Sequence, residues 1–131
     1  MPALEPILAV DDSQPIRDMI VTMLAPRGYR VATAANGREA LQRLRAAINP
    51  HIVLLDIVMP VLDGLGLCLE VERDERLRLA GHKIILTSST VRLSAPDIPA
   101  TAGQLAKPFT RQQLIATIEA ARRWTPREPL R

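Results

Sequence analysis

Short apolar runs at residues 7–10, 31–34, 52–55, 84–86 and 105–106 alternate with longer stretches in which apolar side chains recur every three or four positions. The short runs lack strict polar alternation, which predicts strands covered on both faces, as in a parallel sheet. The longer stretches predict helices that cross over between the strands. Because such crossovers are right-handed, the helices must lie on both sides of one doubly wound sheet.

The ends of the predicted helices carry their own signals. Ser13 is placed to cap a first helix with Pro15 in its opening turn and Ile16, Ile20, Met23 and Leu24 on one face, and Gly28 closes it. Asn36 and Glu39 have the spacing of a capping box for a second helix that buries Ala40, Leu41 and Leu44. A third helix is expected after Asp63-Gly64, burying Leu67, Cys68 and Val71. The last starts at Thr110, with Gln113 three residues on, and buries Leu114, Ile115, Ile118 and Ala121. Between the fourth and fifth strands, Pro96 and Pro99 each remove a backbone donor. Residues 88–103 are therefore expected to form a loop, or a helix of one or two turns before Pro96, so the helix between those strands is shortened or missing.

Composition narrows the chemistry. With 131 residues, 47% of them hydrophobic, the chain has material for one core. Residues 1–124 are read as a single domain and 125–131 as a tail or the start of a linker. No apolar run approaches the roughly 20 residues needed to cross a bilayer, and no basic-then-apolar leader opens the sequence. A cytoplasmic location with no membrane partner is expected. Cys68 is the only cysteine, and the histidines are His51 and His82, which excludes an internal disulfide and a thiolate zinc site. Any metal must be bound by oxygen. Cys68 reads as core and His51 as the opening of a strand far from the strand carboxyl ends. The net charge of +3 comes mostly from arginines interleaved with acids, the composition of solvated helix faces, so nucleic-acid binding by this domain alone is not expected. Arg122-Arg123 fits the carboxyl end of a helix.

In an open parallel sheet, side chains at the carboxyl ends of the strands share one crevice. Asp11 and Asp12 follow the first apolar run, Asp56 the third, Thr87 the fourth and Lys107 the fifth. Taken singly, each has a plain structural reading: a helix-capping run, a strand-end turn, a β-branched strand residue, a solvated end charge. Together they place three carboxylates on one edge, which repel one another unless a cation intervenes, and hard oxygen ligands favour Mg²⁺. With that ion and Lys107 present, a phosphoryl group on Asp56 is accommodated, with Thr87 donating a hydroxyl hydrogen bond.

On Asp11-Asp12, the stretch Asp56-Ile57-Val58-Met59-Pro60-Val61-Leu62-Asp63-Gly64, Thr87-Ser88 and Lys107-Pro108-Phe109, the chain resembles the receiver domains of two-component response regulators over residues 5–123. The resemblance implies a flavodoxin-like α/β fold with a five-stranded sheet in the order 2-1-3-4-5. It implies Asp56 as phosphoacceptor, with Asp12, Asp56 and the Val58 backbone carbonyl as Mg²⁺ ligands and Asp11 ligating through water. Thr87 and Lys107 would hold the phosphoryl oxygens, and a cis peptide before Pro108 would aim Lys107 into the crevice. A sensor histidine kinase or a histidine phosphotransfer protein is the implied bacterial phosphorelay donor, with a downstream protein left open.

The chain departs from the family at Gln104, where an aromatic residue usually stands three positions before the lysine, and in the proline-interrupted segment. Output is therefore expected to run through 88–103, which phosphorylation reorders. Val58 and Ser89, two residues past Asp56 and Thr87, are neither strong acids nor strong bases, which suits a moderately long-lived phosphorylated state. An aspartate-nucleophile phosphatase would need a carboxylate where Val58 stands. The expectation is a signalling domain that catalyses only its own phosphorylation and dephosphorylation. A pseudo-receiver that binds a partner without phosphorylation is the alternative.

Overall fold

The computed structural model of the chain describes residues 4–59, 61–89 and 101–125. Five strands form one parallel sheet: β1 (Ile7–Val10), β2 (Val31–Ala34), β3 (Ile52–Asp56), β4 (Lys83–Ser88) and β5 (Thr101–Ala106). Their order is β2-β1-β3-β4-β5. The helices among the described residues are α1 (Gln14–Leu24), α2 (Gly37–Ala46), α3 (Gly64–Arg73), α4 (Glu75–Leu79) and α5 (Arg111–Arg123).

Side chains of a strand alternate between the faces of a sheet, and the core divides accordingly. Leu8, Val10, Val53, Leu55, Ile84 and Leu86 pack with Ala40, Leu41 and Leu44 of α2 and Leu67, Cys68 and Val71 of α3. The intervening Ile7, Ala9, Ile52, Leu54 and Ile85 pack with Ile20 and Leu24 of α1 and Leu114, Ile115, Ile118 and Ala121 of α5. Both faces of β1, β3 and β4 are thus dry, which is why these strands read as unbroken apolar runs.

The predicted caps form, with one variation. Ser13 accepts from the Ile16 N–H, and Gly28 ends the 3-10 turn Ala25–Arg27 in the left-handed region at φ 79°; α3 starts after Asp63-Gly64 as expected, and Asp63 itself proves to be its cap, accepting from the Gly66 N–H. Thr110 and Gln113 form a complete capping box. At α2, Asn36 accepts from the Glu39 N–H at 2.8 Å, but the Glu39 carboxylate accepts from Ala35, one residue before the cap.

Three elements differ from expectation. β4 runs through Ser88 and β5 begins at Thr101, so Ser88 and residues 101–103, expected outside the strands, belong to the sheet. A register shift opposite Ile84/Ile85 lets the small-residue stretch 101–103 join β4. Helix α4 was not foreseen: Asp74 accepts from the N–H groups of Arg76 and Leu77 and restarts a short helix one residue after α3 ends, burying Leu77. The expectations for Pro96 and Pro99 and for most of 88–103 lie outside the described residues, as does most of the 125–131 tail.

Candidate functional site

Each sequence-predicted acid sits where its strand leaves the sheet. Asp11 follows Val10 directly, and its N–H still bonds the Ala34 carbonyl at 3.1 Å, one step past the β1–β2 pairing. Asp56 is the last residue of β3 and lies opposite Thr87 of β4. The Ile57 N–H donates to the Thr87 carbonyl at 3.1 Å. Asp11, Asp56 and Thr87 are buried, whereas Asp12 is exposed. The register of the central strands therefore brings these side chains to one edge.

Lys107 arrives from β5. Its N–H donates to the Ser88 carbonyl at 2.7 Å, and the Lys107–Pro108 peptide is cis, as the resemblance implied. Its Nζ lies 2.5 Å from Asp11 Oδ2 and 3.3 Å from Asp56 Oδ2, so one ammonium bridges two carboxylates. The remaining oxygens are also held: Asp11 Oδ1 accepts from the Ser13 N–H at 2.9 Å, and Asp56 Oδ1 from the Val58 N–H at 3.2 Å.

This arrangement sets the protonation balance. Burial pushes the Asp56 carboxyl above the usual carboxylate range; the Lys107 charge opposes this, Asp11 adds to it, and the Val58 N–H again opposes it. For Lys107, burial disfavours the ammonium, but the hydrogen bond and charge of Asp11, with the charge of Asp56, hold it above its ordinary value.

The carboxylates of Asp11, Asp12 and Asp56 each offer an oxygen within 4.8 Å of the others. Two ligands across one Mg²⁺ stand about 4.2 Å apart. The acids thus stand close enough together for a small hard cation to be shared among them, directly or through a water. All donors are oxygen, as the cysteine and histidine inventory required.

Three contributors were not foreseen. Arg17 Nη1 donates to the Asp11 carbonyl at 2.6 Å. Helical side chains lean toward the N-terminus, so an arginine early in α1 was the available signal. Gly64 packs against the backbone of Asp56, where an added Cβ would come within 2.6 Å of the carbonyl oxygen. Val61, in the loop after Asp56, has φ 74°, which no local pattern announced. Gln104 is exposed on β5, with no aromatic ring at that position. His51 precedes β3, away from this crevice, and its N–H donates to His82 Nδ1 at 3.0 Å.

Fold and site together define a doubly wound α/β domain with an acid–lysine crevice at the carboxyl edge of its sheet. The response regulator receiver domain family matches residues 7–119, and the chain belongs to that family, the receiver domains of two-component signal transduction. The sequence is 39% identical over 126 residues to response regulator MprA of Mycolicibacterium vanbaalenii, covering 92% of this chain and 52% of that protein. It is 37% identical over 129 residues to the probable transcriptional regulator ycf27 of Guillardia theta, covering 92% and 46%. The chain thus spans about half the length of the curated relatives it matches. Among solved structures, chemotaxis protein CheY4 of Vibrio cholerae superposes with a TM-score of 0.79 at 30% identity, covering 91% of this chain and 99% of that one. Response regulator TrrA of Thermotoga maritima, solved in complex with Mg(2+)-BeF, gives 0.75 at 29% identity, covering 88% and 97%. Among the described residues no helix is long and apolar enough to cross a membrane.

Proposed function

We propose that this receiver takes a phosphoryl group from a phosphohistidine onto Asp56 with Mg²⁺ bound, and that it catalyses only this transfer and the later hydrolysis. The observation that carries the reading is the single Lys107 ammonium set between Asp11 and Asp56 inside the acid cluster. The Mg(2+)-BeF complex of the TrrA relative supports it.

Asp12, Asp56 and the Val58 carbonyl would hold the ion, with Asp11 reached through water. Bound there, Mg²⁺ supplies the positive charge that lets the acids crowd together and offsets charge on the phosphoryl oxygens. The Asp56 carboxylate attacks phosphorus in line with the P–N bond. An O–P bond forms as P–N breaks, and the electron pair leaves on the imidazole nitrogen. Lys107 neutralises developing charge on the transferred group, and Thr87, opposite Asp56 in register, donates its hydroxyl to it. Hydrolysis later returns the carboxylate. Val58, 68% exposed, offers water neither an acid nor a base, which favours a moderately long-lived phosphorylated state.

The donor is a sensor histidine kinase or a histidine phosphotransfer protein in the cytoplasm. Output to a downstream protein runs from Thr87 into 88–103, and no nucleic-acid contact is assigned to these residues.

Incubation with phosphoramidate and Mg²⁺ followed by intact-mass measurement tests the proposal. One phosphoryl group is expected on the wild-type chain, none with EDTA and none on Asp56→Asn. Unmodified wild-type protein, or a group that persists on Asp56→Asn, would make the domain a pseudo-receiver that binds its partner without phosphorylation.

A further inference from the structure

Every polar atom of Asp11 is engaged. Its N–H donates to Ala34, Oδ1 accepts from the Ser13 N–H and Oδ2 from Lys107. The carbonyl is the fourth handle. Past Val10 the chain turns out of the sheet, and the Asp11 carbonyl is taken by Arg17, which reaches back from the second turn of α1. The contact is a charge-assisted hydrogen bond, with a guanidinium donor at 2.6 Å.

That carbonyl belongs to the planar peptide unit joining Asp11 to Asp12. Fixing its oxygen fixes the rotation of the unit, and with it the direction in which both neighbouring acids leave the backbone. Asp12 is exposed and Asp11 buried, so the same peptide plane sets the relative placement of a solvent-facing and an interior carboxylate. Arg17 makes no ion pair within 4 Å with either acid among the described residues, so its hold is on the backbone.

We propose that Arg17 is a positioning residue of the phosphoacceptor site: it locks the Asp11–Asp12 peptide so that the acid cluster is assembled before metal and phosphoryl arrive. This rests on the phosphoacceptor reading above. A purely electrostatic role predicts the opposite sign, because removing a nearby cation would tighten binding of a divalent ion.

The test uses the full chain with Arg17→Met, Arg17→Gln and Arg17→Lys, titrated with Mg²⁺ and then phosphorylated with phosphoramidate, a donor too small to need a docking surface. Arg17→Met is expected to raise the Mg²⁺ concentration for half-saturation about tenfold, the value of a charge-assisted hydrogen bond. Phosphorylation at sub-saturating Mg²⁺ should slow by a similar factor. The Gln and Lys variants, which retain a donor, should recover part of the loss, and they keep the test open should the Met variant fold poorly. Unchanged or tighter Mg²⁺ binding in a folded Arg17→Met chain overturns the proposal. So does a defect that appears only with a protein phosphodonor. A wild-type chain that takes up no phosphoryl group overturns the underlying reading instead.

Discussion

At the scale of single residues, His82 is the group whose protonation the fold resists most clearly. Its Nδ1 accepts from the His51 N–H, so the ring must be neutral for that bond to form. Burial, and then the charge of His51, push it down to about 4 from an ordinary 6.5. Its Nε2 is buried without a partner among the described residues. The unfolded chain gains a proton below pH 6.5, whereas the folded chain gains it only near pH 4. The stability this group contributes is therefore full above pH 6.5 and falls as pH drops toward 4, by on the order of 3 kcal/mol. Asp56 works with the opposite sign, since its raised folded value favours the fold as pH falls. The difference between wild type and His82→Gln in urea midpoints at pH 7.5 and pH 4.5 isolates the histidine. The variant should lose less stability over that range, and equal losses would contradict the account.

At the scale of elements, the loop between β3 and α3 is the tightest part of the site. A Cβ on Gly64 would lie 2.6 Å from the Asp56 carbonyl oxygen and 2.8 Å from the Ile57 Cα, both backbone atoms that move only with the strand end. Gly64→Ala is expected to cost about 1–3 kcal/mol and to slow phosphorylation by displacing Asp56. Three residues earlier, Val61 holds a β-branched side chain at φ 74°, a conformation that costs about 1–2 kcal/mol for an L-residue. Val61→Gly removes that strain at a smaller entropic cost. The net gain, up to about 1 kcal/mol, should appear in the denaturant midpoint. A gain from Gly64→Ala, or a loss from Val61→Gly, would contradict this picture of the loop.

At the scale of the molecule, any ion that binds only the assembled site must stabilise the whole fold. The acids come from β1 and β3 and the lysine from β5, so the crevice does not exist in the unfolded chain. Millimolar Mg²⁺ is expected to raise the melting temperature of the wild type, and Asp12→Ala or Asp56→Asn to abolish the rise. An equal rise in these variants would place the ion elsewhere.

Much of this was legible along the chain. The runs 7–10 and 31–34 are β1 and β2 to the residue; in β1, covered on both faces, this is because such a strand is written in consecutive apolar positions. The caps at Ser13, Asn36 and Thr110 are equally local, since a cap side chain bonds an N–H two or three residues ahead. β5 was underread because Thr101-Ala102-Gly103-Gln104 carries little apolar signal and owes its conformation to pairing with β4. Helix α4 was missed because five residues are too few for a period to show.

The sequence by itself determined β1 to β4, the helices α1, α2, α3 and α5, and which polar groups stand at the strand ends, because these depend on neighbours a few positions away. Only the tertiary structure decided that Lys107 bridges Asp11, 96 positions earlier, and Asp56, that His51 meets His82, and that Arg17 reaches back to Asp11. Those contacts follow from strand order, register and the direction in which a helix leans its side chains, and each becomes definite only once the sheet has closed around its core.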